Sequence, residues 1–244
     1  MFSYDYYKNI CLKAAEDEEV FKDFKRNPLV TAMLEHVSYG QGLGYIEEIR
    51  RIKPNFLNQI STFAKNDAVG NPLLCFYEEF GMPISPSTLR YVKVLADILN
   101  LHPPLHLADI VEIGGGYGGQ CMTIKSYINV KSYTIIDLPE VLALTKKYLE
   151  RQNVTDVTFI ECDNVESKEY DLCISNYAFT EIDREYQDLY AEKIIKNSKH
   201  GYITCNYFGL RDDGMTKKEV QELKNGTFIE EKPLTGTNNI IYLW

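Results

Sequence analysis

One segment limits what this chain can fold into more than any other: Val111-Glu112-Ile113-Gly114-Gly115-Gly116-Tyr117-Gly118-Gly119. Asp109–Ile113 reads as a short apolar strand, and the residues from Gln120 to Ile128 carry a helical pattern. The turn between them is nearly all glycine. Without side chains, Gly114, Gly116 and Gly118 let the backbone reverse sharply and approach a ligand closely. A strand, a glycine turn and a helix form the opening unit of a parallel α/β sheet.

The rest of the chain agrees. After Ala108, strands and helices alternate: a second strand at Tyr133–Asp137, a helix opened by Pro139, a third strand at Val157–Glu161 and a fourth at Tyr170–Ser175. A helix from about Arg184, a fifth strand at Gly201–Asn206 and a helix near Thr216 follow. The last two runs, Thr227–Glu231 and Asn239–Trp244, have no room for a crossover helix between them, so they pair as an antiparallel hairpin. The expected fold class is α/β: a Rossmann-like, seven-stranded, mostly parallel sheet with a C-terminal antiparallel hairpin, resembling the class I methyltransferase sheet. Residues 1–105 form a helical N-terminal region and residues 106–244 the sheet domain, with Pro103-Pro104 at the boundary. Within the first region, Cys11–Phe24 has helical spacing, Pro28 opens a short helix, and Gly40, Gly42 and Gly44 are read as a break. Ser85-Pro86 starts a helix with an apolar stripe at Leu89, Val92, Leu95 and Leu99.

Composition narrows the function. With 26 basic and 35 acidic residues the net charge is −9, which argues against a nucleic-acid substrate. No run reaches the roughly 18 apolar residues of a membrane span, and the N-terminus lacks the apolar core of a signal peptide. None of the six cysteines forms a Cys-x-x-Cys pair, and Cys162, Cys173 and Cys205 sit in or beside apolar runs, as small hydrophobes in a reducing compartment do. A cytoplasmic protein is expected. Its oligomeric state is not readable.

The chemistry-bearing residues fall at the ends of the strands. The glycine run also satisfies the dinucleotide fingerprint, so an NAD-dependent oxidoreductase is the competing class. Glu112, two residues before the first glycine, argues against it: a carboxylate there repels a pyrophosphate, and methyltransferases carry an acid at this place that orients the amino-acid end of S-adenosylmethionine. Asp137, followed by Leu138, can accept from both ribose hydroxyls or cap the next helix. Asp163 and Asn164 can read an adenine edge or make an Asx turn. Ser175, Asn176 and Tyr177 end the fourth strand, beside the reactive methyl.

These residues resemble a family of sugar O-methyltransferases found among polysaccharide-modifying genes. The likeness rests on Glu112–Gly119 with Gly115 and Tyr117, on Asp137-Leu138-Pro139-Glu140 and on Ser175-Asn176-Tyr177-Ala178-Phe179-Thr180-Glu181. It extends upstream to Gly70-Asn71-Pro72 and Thr88-Leu89-Arg90-Tyr91. It implies S-adenosyl-L-methionine as cofactor and a carbohydrate hydroxyl, of a glycan or sugar derivative, as acceptor; a small phenol or amine is the alternative. Glu181 is the candidate general base, with a helix-start carboxylate as its other reading. Tyr177 and Asn206 complete the candidate catalytic set. Tyr207, Arg90, Tyr91 and His36 are candidates for contacting the acceptor. The strand ends that hold acids in metal-dependent relatives carry Asn176 and Asn206 here, so no metal site is expected, and Asp212-Asp213 reads as a solvated loop.

Overall fold

The strands expected after Ala108 form one seven-stranded sheet in a computed structural model that describes residues 4–102, 104–206 and 213–244. Tyr207 and Asp212 lie outside the described residues. The chain divides into two compact units, the first made of Met1–Pro104, Gly116–Ile128 and Leu138–Thr155, and the second of Leu105–Gly115, Asn129–Asp137 and Asp156–Trp244. Two of the helices that follow sheet strands therefore cluster with the N-terminal region.

The first unit is helical. It holds α1 (Tyr4–Glu16), α2 (Glu18–Lys22), α3 (Pro28–Met33), α4 (Tyr39–Ile52), α5 (Ile60–Phe63), α6 (Pro86–Leu101), α7 (Gly119–Tyr127) and α8 (Pro139–Arg151). The helical pattern around Cys11–Phe24 is broken at Asp17, whose carboxylate accepts from Glu19 N at 2.8 Å and starts a second helix. The unit also contains a hairpin, β1 (Cys75–Tyr77) with β2 (Met82–Ile84), where only helical and irregular chain was expected. Three-residue strands are too short to show a period.

The expected break at Gly40, Gly42 and Gly44 is corrected. All three lie inside α4, which Ser38 opens with a capping box: Ser38 Oγ accepts from Gln41 N, and Gln41 Oε1 accepts from Ser38 N. At Gly42 the helix passes against Tyr77, whose hydroxyl occupies the place a Cβ would take. Glycine here is a packing requirement, not a helix stop. The apolar stripe expected on α6 is also too narrow a description: Pro86–Ile98 is buried on every side, and Lys93 and Asp97 are buried together as an ion pair at 2.6 Å.

The second unit is the sheet. It holds β3 (Asp109–Ile113), β4 (Ser132–Asp137), β5 (Val157–Glu161), β6 (Tyr170–Asn176), β7 (Ser198–Cys205), β8 (Thr227–Glu230) and β9 (Ile240–Leu243), with helices α9 (Ala178–Glu181), α10 (Arg184–Tyr190) and α11 (Lys217–Glu222). The strand order is β5-β4-β3-β6-β7-β9-β8. The first five are parallel; β9 runs antiparallel to β7 and to β8, which is the expected terminal hairpin. Ile110, Val111, Ile135, Leu172, Cys173 and Ile203 are fully buried, as strands covered on both faces require. The chain runs from β3 outward to β4 and β5, then returns to the other side of β3 to lay down β6. The order thus reverses between β3 and β6, and a crevice opens outside the carboxyl ends of parallel strands at such a reversal.

The α4 glycines separate two effects. Gly42→Ala is expected to lower stability by about 1–2 kcal/mol, because overpacking against Tyr77 outweighs the helix propensity of alanine. Gly40→Ala meets no atom within 4 Å and is expected to raise stability by about 0.5–1 kcal/mol. Urea denaturation of both variants checks this; a Gly42→Ala protein as stable as Gly40→Ala would refute the packing role.

Candidate active site at the strand ends

The carboxyl ends of β3, β4, β5, β6 and β7 bring most of the sequence-predicted residues into the second unit. Glu112 is the most constrained. It is 2% exposed, and its Oε2 accepts the Tyr133 hydroxyl proton at 2.7 Å. Burial pushes its pKa up to about 8; the Tyr133 hydrogen bond opposes this, and the nearby Asp137 charge adds to it. Gly115 lies directly over the carboxyl group. A Cβ there would press on Ile135 and sit 3.6 Å from Glu112 Cδ. Gly114 adopts φ +72°, and its N–H donates to Ile136 O at 2.9 Å, tying the turn to β4.

Asp137 ends β4, partly buried. The helix after it, α8, has Leu138 as its N-cap, in extended conformation. Asp163 and Asn164 follow β5 in a turn closed by Asn164 N donating to Glu161 O, and Asp163 Oδ1 accepts from the Tyr186 hydroxyl at 2.6 Å. Both are exposed.

Past β6, Ser175 is buried and structural: its hydroxyl donates to Ile113 O and accepts from Phe179 N. Asn176 Oδ1 accepts a long bond, 3.4 Å, from the Thr204 hydroxyl. Tyr177 stands at φ +70°, a left-handed conformation that costs a non-glycine residue of order 1–3 kcal/mol. It is held there by its hydroxyl, which donates to Glu231 Oε1 and lies 2.9 Å from Thr235 Oγ1, and by its N–H, which donates to Thr204 O. Glu231 was not singled out in the sequence: it closes the run read as a strand, one residue past the end of β8, and carries no local motif.

Glu181 is the last residue of the four-residue α9, half-buried. Its Oε1 accepts from Asn206 Nδ2 at 2.8 Å, and burial raises its pKa despite that bond. Asn206 is fixed in turn, its N–H donating to Thr180 Oγ1 at 3.0 Å. The structure therefore joins two of the three candidate catalytic residues directly and turns the hydroxyl of the third, Tyr177, toward Glu231.

The remaining candidates are in the first unit. Gly116 and Gly118 are left-handed, at φ +53° and +93°. Tyr117, between them, is buried with its hydroxyl donating to Glu35 Oε1. Arg90 and Tyr91 are buried on α6: Arg90 Nη2 donates to Leu34 O at 2.9 Å, and the Tyr91 ring packs edge-on against Tyr117. His36 is exposed just after α3. Tyr207 is outside the described residues. A cleft of about 560 Å³ in this unit, lined by residues such as Lys22, Asp67, Asn71 and Arg151, contains none of the candidates. Among the described residues no three His, Cys, Asp or Glu side chains are grouped to hold a metal ion, and no helix is long and apolar enough to cross a membrane.

A family model described as an O-methyltransferase domain matches residues 87–200, from α6 into β7. None of the curated protein sequences matches the chain. Among solved structures, a Thermoplasma acidophilum protein is 12% identical over 76% of this chain and 95% of its own, with a TM-score of 0.49. An O-methyltransferase family 2 protein from Planctomyces limnophilus, solved with apigenin, is 12% identical over 63% of this chain, with a TM-score of 0.45; this chain spans 57% of its length. An S-adenosylmethionine-dependent methyltransferase from Clostridium acetobutylicum is 12% identical over 57% of this chain and 84% of its own, with a TM-score of 0.44. The family match supports S-adenosylmethionine-dependent O-methylation as the class of chemistry.

Glu112 makes a pH prediction. Its pKa is about 8 in the folded state and 4.5 in an open chain, so the folded form binds the proton more tightly. The stability it contributes is full below about pH 4.5 and is lost as pH rises toward 8. Glu112→Gln cannot ionise and is expected to escape that loss. Its melting temperature should pull ahead of the wild type between pH 5 and 8.5, by the equivalent of about 2–4 kcal/mol. Parallel pH curves for the two proteins would show that the carboxyl is not held neutral.

Proposed function

We propose that the chain transfers a methyl group from S-adenosyl-L-methionine to a hydroxyl of a sugar, in a glycan or sugar derivative, with Glu181 as general base. The observation that carries this is the placement of a buried acid, Glu112, and a half-buried base, Glu181, at or just past the carboxyl ends of the two strands that flank the reversal of strand order. The donor set fits the cofactor. The Glu112 carboxyl can accept from the ammonium of the cofactor's amino-acid end. Asp137, at the carboxyl end of β4, suits two ribose hydroxyls. When bound, S-adenosylmethionine supplies a methyl on a positively charged sulfur, open to in-line attack by oxygen. A dinucleotide, in contrast, would bring a pyrophosphate to the Glu112 carboxyl.

The protein's own part is orientation and proton removal. Holding the acceptor oxygen in line is worth up to ~7–11 kcal/mol. Glu181 takes the proton leaving the acceptor hydroxyl, and Asn206 Nδ2 keeps Oε1 fixed while it does so. A raised carboxylate pKa makes it a stronger base at neutral pH, and such assistance typically contributes ~10²–10⁴-fold. The sugar rests on the resemblance of the glycine run and of Ser175–Glu181. An acidic chain suits a neutral polyol better than a nucleic acid. A cytoplasmic enzyme follows from the same reading. Asn176 and Asn206 at the β6 and β7 ends favour a metal-independent reaction.

S-adenosylhomocysteine is expected to bind in a calorimeter and to raise the melting temperature, and NADH to do neither. Binding of NADH alone would replace this reading with an oxidoreductase. In a panel of hexose and deoxysugar glycosides, with simple phenols and amines beside them, methylation of at least one glycoside is expected. Turnover of phenols or amines only would move the acceptor class and leave the cofactor standing. With the acceptor in hand, Glu181→Gln should lower kcat by about 10²-fold or more while S-adenosylhomocysteine affinity stays within about two-fold. Unchanged kcat would leave Glu181 a mere helix-end carboxylate. Activity should persist in excess EDTA; complete loss, restored by magnesium, would give the chemistry to a metal.

A further inference from the structure

Lys25, which follows Phe24 in the short turn after α2, is 1% exposed and forms no salt bridge among the described residues. Its Nζ donates to Asn66 O at 2.7 Å and stands 4.5 Å from the centre of the Tyr117 ring and 4.9 Å from that of Tyr148. Burial pushes its pKa down, and the more distant charges of Glu35 and Asp67 resist this. Enclosing an ammonium in this way is costly, and a hydrophobic side chain of the same volume would pack the space for less. What the ammonium does contact is a residue of the glycine run.

Tyr117 is gripped from several directions. Lys25 lies on its ring; Phe24, Tyr148 and Tyr91 meet it edge-on, with centroids at 5.5, 5.0 and 6.2 Å. Its hydroxyl donates to Glu35, a buried carboxylate that also accepts from Ser85 Oγ. The glycines on either side, Gly116 and Gly118, have the left-handed backbone. Leu34 lies against Gly116, and Gly116 O accepts from the Thr145 hydroxyl. Glycine alone does not choose a left-handed backbone; it only permits one, at an entropic cost. Something must hold Gly116–Gly118 in it; Tyr91, Thr145 and Tyr148 contribute, and the stretch between Phe24 and Glu35 supplies Phe24, Lys25, Leu34 and Glu35.

We propose that Lys25 and Glu35 are positioning residues for the cofactor: by fixing Tyr117 they preset the Gly116–Gly118 backbone, so the affinity for S-adenosylmethionine is set from the N-terminal segment. The inference rests on the proposed function, since it assigns the glycine run to that cofactor. Coupling between two sites is reciprocal, so cofactor binding must in turn steady residues 24–35.

The test uses the full chain, with S-adenosylhomocysteine as probe, for the wild type and for Lys25→Met, Glu35→Gln and Tyr117→Phe. Methionine fills the lysine's space among the rings without its charge. Lys25→Met is expected to keep its melting temperature within a few degrees yet bind the probe at least five-fold more weakly. A purely structural lysine would give the opposite split: altered melting and unaltered affinity. Tyr117→Phe removes one hydroxyl and keeps the ring, and it decides the matter if Lys25→Met does not fold; a several-fold loss of affinity is expected there and in Glu35→Gln. Amides of residues 24–35 should exchange more slowly once the probe is bound. Affinities within two-fold of wild type in the variants that fold, or unchanged exchange in that stretch, would overturn the positioning role and leave the methyltransferase reading intact. A wild-type chain that does not bind the probe would remove both.

Discussion

A carboxyl group shut away from water at the end of the central strand sets the terms for everything around it. Glu112 is tolerated there because Tyr133, one strand over, aims its hydroxyl at the carboxyl oxygen. The parallel register of β3 with β4 brings the two within reach, pairing Glu112 with Ile135 two residues on from Tyr133. Leaving such a group charged without a counterion is expensive, and burial accordingly pushes its pKa up to about 8.

Glu181 shows how the same physics serves a different end. Both carboxyl groups are raised by burial, but Glu112 is satisfied by a phenol inside the sheet, whereas Glu181 is half-buried and steadied by an amide from the next strand end. The first is sealed inside the sheet, and the second stays half-open to solvent. Two titratable groups that share a shift but not an environment can divide binding from chemistry.

The sheet was legible in the sequence because its cues are local. Strands covered on both faces are nearly uninterrupted apolar runs, the glycine turn has few structural uses, and Lys232–Asn238 is too short to cross over, which forces the hairpin of β8 and β9. The candidate cofactor residues followed from strand ends alone. What stayed hidden depended on partners far away in the chain. Gly42 looked like a helix breaker until Tyr77 was seen to occupy its missing side chain. The ring of contacts around Tyr117 joins residues 24, 25, 35, 91 and 148, and no sequence pattern spans such separations. The Tyr177–Glu231 bond was unreadable for the same reason, although a tyrosine beside a small residue at a strand end was a fair signal that something there is held in place.

The first unit is assembled from three separate stretches of chain. Its interior depends on late arrivals: Lys147 donates to Ala14 O, and Tyr148 donates to Asn66 O, each across a long loop of sequence. On the ribosome, the first hundred residues must therefore wait, with Phe21, Phe24 and Tyr45 still lacking a finished core, until the helix ending at Arg151 has cleared the exit tunnel. Synthesis from the N-terminus thus leaves a sticky, half-built intermediate exposed for some seconds, at the ~5–20 residues per second of translation. The apolar side chains of the early helices then have to stay out of contact with one another's copies until their late-made partners emerge.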